Sequence, residues 1–211
     1  MGIADLRHEY ETAGLDRDDL APGPLGQWRR WYDDAVAAGC TEPNAMTLAT
    51  VDAAGRPDAR YVLVRGVDDR GLWFFTNTES AKGAQLAARA VGAVVFGWLE
   101  LHRQVRLRGA VGPLPRPEVE AYFASRPRSS RLASWASRQS TELPHRAALL
   151  DALAVADARF PGDDVPAPPW AGCYRIEPDE VEFWQGRAGR LHDRLRYRRD
   201  GGGWRVARLS P

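Results

Sequence analysis

Residues 45–52, AMTLATVD, are followed by RYVLVRGVD at 60–68 and GLWFFTN at 71–77. Each run is short and rich in β-branched and aromatic residues, which suit a pleated, half-buried surface. Turn signals separate them, AAGRP (53–57) and then DDRG (68–71), so the three read as an antiparallel meander. VGAVVFGWL (91–99) and RQVRLRGAVG (103–112) extend the pattern. In the second of these, Gln104, Arg106 and Arg108 alternate with Val105 and Leu107, which gives one polar face and one buried face. AGCYRIEPDEVEFWQG (171–186), RLHDRLRYRRD (190–200) and GWRVARLSP (203–211) return to strands at the end of the chain.

Helical periodicity fills the gaps. Leu25, Trp28, Tyr32, Ala35 and Val36 fall on one face of a helix from about Leu25 to Ala38, and Gly39 ends it. SAKGAQLAARA (80–90) is a short helix, and PHRAALLDALAVADARF (144–160) is a longer one that runs into the Pro-rich loop FPGDDVPAPPW. Pro117 opens a helix in PEVEAYFASR that places Tyr122 and Arg126 on one face. A short helix is expected around Ala4–Thr12. No repeat or linker divides the chain. The expectation is one α+β domain over residues 1–211, an antiparallel barrel with helices around it.

The 211 residues carry 29 basic and 28 acidic side chains, a net charge of +1. That balance supplies no chain-wide field for nucleic acid or an anionic membrane. Cys40 and Cys173 lie far apart, and His8, His102, His145 and His192 have no ligand-like spacing, so no metal site is expected. The opening MGIADLRHEYETAGL is charged and has no apolar core, and no apolar run approaches the length of a bilayer span. A soluble cytoplasmic protein is the expectation. Cations do gather locally: Arg60 with Arg65, Lys82 beside Ser80, Arg126 with Arg128, Ser129 and Ser130, and Arg190 with Arg194 around His192. Guanidinium forks and hydroxyls in such groups match phosphate oxygens.

SRPRSSRLASWASRQS (125–140), EFWQG (182–186) and RLHDR (190–194), with LRHEY (6–10) before them and RLSP after, resemble the pyridoxine/pyridoxamine 5'-phosphate oxidase family in order and approximate spacing. The resemblance runs nearly end to end. It implies a flavin mononucleotide (FMN)-binding split barrel that works as a homodimer with FMN at the subunit interface. Residues 1–20 would be an N-terminal lid, and 171–211 would be strands for dimerisation and the active site. On this resemblance Arg60, Arg65, Phe75, Thr76, Lys82, Gln104, Gln139, Ser140, Trp184 and Arg194 hold the flavin. Arg7, Tyr10, Arg65, Tyr122, Arg126 and Ser130 bind substrate. Arg190 and His192 lie against the substrate ring as the catalytic pair.

The implied activity is oxidation of pyridoxamine or pyridoxine 5'-phosphate to pyridoxal 5'-phosphate, with oxygen as acceptor. Two alternatives stand beside it: a related flavin oxidase of a phenazine-type secondary pathway, and a non-catalytic protein that binds flavin or pyridoxal phosphate. Two positions depart from the family pattern. Arg65 stands where lysine is usual, and Ala81 stands where a basic residue often precedes Lys82.

Overall fold

The computed structural model describes Tyr10 and residues 12–211. Arg7 and most of the helix expected near the N-terminus lie outside the described residues.

Eight antiparallel strands form one sheet. They are β1 (Ala45–Val51), β2 (Pro57–Val67), β3 (Leu72–Asn77), β4 (Val91–Trp98), β5 (Arg103–Pro113), β6 (Ala171–Gln185), β7 (Asp193–Asp200) and β8 (Gly203–Arg208). The order is β3-β2-β1-β4-β5-β6-β7-β8, and a further β3–β6 pairing closes the first six into a barrel. β6 makes the closure possible because it is long enough to serve two partners along one edge. Its first half pairs with β3 (Leu72 opposite Ile176, Asn77 opposite Ala171), and its second half pairs with β7 (Glu180 opposite Arg198, Gln185 opposite Asp193). The changeover falls at Pro178–Asp179, where the β5 register shifts so that Arg108 faces Glu180 but Gly109 faces Pro178. A bulge tolerates a residue without an N–H, so proline fits there.

Met46, Leu48, Leu72, Phe74, Val94, Phe96, Val105, Leu107, Ile176 and Phe183 fill the interior and are fully buried. Every second residue of β5 points inward, as its alternation predicts. Helix α1 (Pro24–Ala37) packs on the barrel through Trp28, 5.3 Å from Phe96, and Trp31, which meets Phe183 edge-on at 5.2 Å. The buried face of α1 is thus Gln27, Trp28, Trp31 and Ala35. Val36, expected on that face, is exposed.

Four more helices surround the barrel: α2 (Ala81–Ala88), α3 (Arg116–Ala124), α4 (Arg128–Ala136) and α5 (Arg146–Arg159). The expected continuous helix through Arg126 does not form. α3 ends at Ala124, because the residue before Pro127 is driven out of the helical region. Arg126 therefore sits in the link between α3 and α4.

Candidate functional site

A cavity of about 770 Å³ opens between β2, β3, the start of α2 and the α3–α4 link. Ten of the expected site residues line it: Arg60, Arg65, Phe75, Thr76, Lys82, Tyr122, Arg126, Ser130, Gln139 and Ser140. Its size suits a cofactor-sized ligand. The cations within it form two groups.

Lys82 belongs to the first group. Ser80 caps α2, accepting from the Gly83 N–H. This fixes the turn, and the buried Lys82 ammonium then donates to Ser80 Oγ at 3.2 Å and Gln139 Oε1 at 2.8 Å. Burial, aided by the charge of Arg60, lowers the Lys82 pKa. An ammonium held by neutral acceptors in a desolvated place is poised for an anion. Arg60 is differently placed. Its guanidinium donates to Thr50 Oγ1 at 2.5 Å and Gln85 Oε1 at 3.0 Å, and it pairs with Asp58 at 2.5 Å. Asp58 is held below the usual carboxylate range by a hydrogen bond from Gln85 and by Arg60. Ala81 lines the cavity beside Lys82.

Arg126 belongs to the second group. Its guanidinium lies 4.4 Å from the centre of the Phe75 ring, and Nη1 donates to Ser134 Oγ at 2.9 Å. Ser134 donates in turn to the Ser130 carbonyl. Burial lowers the Arg126 pKa; Tyr122 opposes that shift and Arg65 adds to it. Burial raises the Tyr122 phenol, against the pull of Arg65 and Arg126. Its ring is fixed edge-on to Trp73 at 5.3 Å and tilted against Phe75 at 5.5 Å. Arg126 and Tyr122 are thus held by aromatic and hydroxyl contacts around one space, and the exposed Arg65 lines the same cavity. Arg128 does not join them. It donates to Asp157, the Phe160 carbonyl and the Gly162 carbonyl, which ties α4 to the end of α5.

The remaining expected residues lie elsewhere. On the outer face of β5–β6–β7, Gln104, Trp184 and Arg194 form one cross-strand row. In the next row along the same face Glu182, almost fully buried, accepts from Arg194 Nε at 2.8 Å and Arg106 Nη2 at 2.6 Å. Burial alone would raise the Glu182 pKa, but Arg194 and Arg106 outweigh it and hold the carboxyl below its ordinary value. The His192 ring sits 4.6 Å from Trp184, and Tyr10 lies 5.9 Å from His192 and 4.3 Å from His102. His192 Nδ1 accepts from the Arg187 N–H at 3.1 Å, so the neutral ring carries its proton on Nε2. Arg190 is exposed on the adjoining turn with φ 61°, next to Gly189 at φ 62°. A side chain held in the left-handed region is costly and gathers at functional positions; Ser140 and His102 share the feature. None of Tyr10, Gln104, Trp184, Arg190, His192 and Arg194 lines the cavity of its own chain.

Sequence reasoning missed Ser134, Gln85 and Asp58 as supports of the cavity arginines. Asp58 stands two positions before Arg60 on β2, a same-face spacing that carried the signal, whereas Gln85 and Ser134 come close only through the packing of α2 and α4.

Two family models cover most of the chain: "Pyridoxamine 5'-phosphate oxidase" at residues 32–160, and "Pyridoxine 5'-phosphate oxidase C-terminal dimerisation region" at 170–211. The pyridoxine/pyridoxamine 5'-phosphate oxidase of Burkholderia multivorans is 54% identical over 212 residues, covering 99% of both chains. That of Cupriavidus taiwanensis is 51% identical over 210 residues, again covering 99% of both. Among solved structures, PhzG from Burkholderia lata 383, in complex with tetrahydrophenazine-1-carboxylic acid, is similar with a TM-score of 0.88 and 35% identity, covering 94% of this chain and 98% of that one. A pyridoxamine 5'-phosphate oxidase-related, FMN-binding protein from Nostoc punctiforme shares the fold, with a TM-score of 0.71, 21% identity and coverage of 92% and 100%. By both family models and by identity along its whole length, the chain belongs to the pyridoxine/pyridoxamine 5'-phosphate oxidase family.

Proposed function

We propose that the protein uses FMN to oxidise pyridoxamine or pyridoxine 5'-phosphate to pyridoxal 5'-phosphate, with oxygen as the electron acceptor. The observation that carries this reading is the pair of cation groups in one cavity, one at Lys82 and one at Arg65 and Arg126. A reaction between a phosphorylated cofactor and a phosphorylated substrate needs two anion sites in one space.

The residues fit that cofactor. Lys82 at the start of α2 offers a desolvated cation beside a helix N-terminus, a favourable place for phosphate. Arg60 lines the same end, Phe75 and Thr76 supply a wall, and Gln139 and Ser140 edge it. When bound there, FMN would supply the hydride acceptor and the route by which electrons reach oxygen. The protein's part is binding, orientation and electrostatics. Arg65, Tyr122, Arg126 and Ser130 grip the substrate phosphate, and fixing that far end aims the reacting carbon.

Two copies of the chain complete the site. The row Gln104, Trp184 and Arg194, with Tyr10, Arg190 and His192, would face the cavity of the partner, and His192 would present Nε2–H to the substrate ring. The family model's naming of residues 170–211 as a dimerisation region supports this arrangement, as does the 80% exposure of Tyr61 on the cavity wall.

A second reading, oxidation of a phenazine precursor, is favoured by the likeness to PhzG. Against it, a lone carboxylate carries one negative charge for the Arg65–Arg126 pair and the Tyr122 and Ser130 hydroxyls beside it, a set that a dianionic phosphate with three free oxygens matches better. The deciding experiment adds pyridoxamine 5'-phosphate without oxygen to the flavin-loaded protein and follows the yellow colour. Bleaching, with recovery on admitting air, supports the first reading. Bleaching only by a reduced phenazine carboxylate would replace it with the second, and no bleaching by either would sink both.

A further inference from the structure

Residues 12–16 cross the end of β6 and the turn leading to β7, although more than 170 positions separate them in sequence. Thr12 Oγ1 donates to the Gly186 carbonyl at 2.6 Å, and Arg187 Nη1 donates to the Thr12 carbonyl at 3.0 Å. The Leu15 N–H donates to Asp193 Oδ2 at 3.0 Å. The other oxygen of Asp193 accepts from Arg208 Nη1 at 2.6 Å. Arg208 Nη2 then reaches the Leu15 carbonyl at 3.2 Å and Asp16 Oδ1 at 3.1 Å. One carboxylate, flanked by His192 and Arg194, therefore ties together the N-terminal segment, the site turn and the last strand.

The two surfaces are shaped to each other. A Cβ at Gly186 would stand 2.6 Å from Tyr10 Cδ2 and 3.0 Å from His102 Cβ. Gly14, with φ +88°, would bring a Cβ to 2.2 Å from Arg187 Nη1. Both glycines are needed for the segment to lie this close. Tyr10 consequently rests against His102, His192 and, edge-on at 6.2 Å, Trp184.

We propose that Asp193 is a positioning residue. It seats residues 12–16 so that Tyr10 stands against His192 and Trp184 and presents one wall of the substrate-ring site. The substrate half of this inference rests on the function proposed above; the seating does not. An amide cannot replace the carboxylate here. Asparagine would turn an NH₂ toward either the Leu15 N–H or the Arg208 guanidinium, setting donor against donor.

The test uses flavin-loaded Asp193→Asn. Trypsin cleavage after Arg17, in the exposed turn Arg17–Asp19, reads the open population of the segment. Cleavage should accelerate about tenfold, which corresponds to about 1.4 kcal/mol of lost seating. The KM for pyridoxamine 5'-phosphate should rise by a similar factor, with kcat within about twofold and flavin content unchanged, since uniform binding is what is lost. Arg208→Gln should open the segment too, since it also holds the Leu15 carbonyl and Asp16, and the double variant should be less open than the two single effects added, because both singles lose the shared Asp193–Arg208 pair. Additive opening, or unchanged cleavage in Asp193→Asn, overturns the proposal. Faster cleavage with an unmoved KM overturns the positioning of Tyr10. A wild type that never turns over pyridoxamine phosphate, while Asp193→Asn still opens the segment, refutes the proposed function and leaves the seating standing.

Discussion

The cavity between β2, β3, α2 and the α3–α4 link differs from the outer face of β5–β6–β7 in how its cations are satisfied. In the cavity, Lys82 rests on Ser80 and Gln139, and Arg126 rests on Ser134 and the Phe75 ring; Arg60, paired with Asp58, is the exception there. On the outer face, Arg194 and Arg106 share the buried carboxylate of Glu182, and Arg208 is paired with Asp193. Neutral partners orient a cation without cancelling its charge, so the charge is left for a ligand. A carboxylate cancels most of it and leaves an oriented guanidinium edge. One region is built to attract anions, and the other is built to hold side chains still.

The sharpest way to break this contrast is at Arg190, which lies with the second region but has neither a carboxylate partner in the ion pairs described nor a place in the cavity. If it acts on the substrate from the partner copy, Arg190→Met should lower kcat by at least ~10²-fold, as expected when an aimed electrostatic group is lost. Flavin content should stay near normal. Wild-type turnover would show that the turn serves only the fold.

Arg126 tests the cavity side. A hydrogen bond to a charged group is worth about 1.5–3 kcal/mol, so Arg126→Ala should raise the KM for pyridoxamine 5'-phosphate by roughly ten- to a hundredfold. Unphosphorylated pyridoxamine should be a poor substrate for both proteins. Equal wild-type rates on the two vitamers would remove the case for a phosphate grip and favour the phenazine reading.

Glu182 tests the compensated side. Its folded pKa is depressed, so its contribution is present above the unfolded value, about 4.3, and is lost as pH falls through the lower folded value. Glu182→Gln keeps the shape but leaves two arginines facing a neutral amide. It should cost about 2 kcal/mol at pH 7, typical of a charged hydrogen bond, and the difference from wild type should shrink below pH 4. Denaturant melts at the two pH values measure it; a gap that widens in acid would contradict the role assigned to this carboxylate.

The barrel was legible because alternation is local. Val105 and Leu107 announce an inner face whatever they pack against, and AAGRP and DDRG fix where strands turn. The break after α3 was less legible, since Tyr122 and Arg126 have helical spacing and only Pro127 forbids the continuation. α4 does not announce itself as a helix, because serines and arginines surround Leu132, its one buried residue. Which site residues line the cavity and which lie on the other face was not legible from spacing. Gln104 lies between Lys82 and Tyr122 in sequence yet faces another side of the molecule, because β4 and β5 carry the chain round the barrel between them. Nor does sequence say which cation is spent. Arg126 and Arg128 are neighbours, but Arg128 finds Asp157 from 29 positions away and Arg126 finds a serine.

The smallest effect expected comes from adding a cation to the uncompensated side. Ala81 is the first residue of α2, exposed, and lines the cavity beside Lys82. The family resemblance leads one to expect a basic residue there, and this chain has only the lysine. Arg60 is poorly placed to make up the difference, because Thr50, Gln85 and Asp58 already engage its guanidinium. Ala81→Arg should then tighten FMN binding about tenfold, a change of about 1.4 kcal/mol. That lies just under the usual value of a charged hydrogen bond, which allows for the cost of ordering a long side chain. Titrating apo-protein with FMN at low and high salt separates the causes. A gain that fades with salt marks an exposed charge acting on the phosphate. An unchanged dissociation constant at low salt would place residue 81 out of reach of the phosphate and leave Lys82 to hold that end of the cavity.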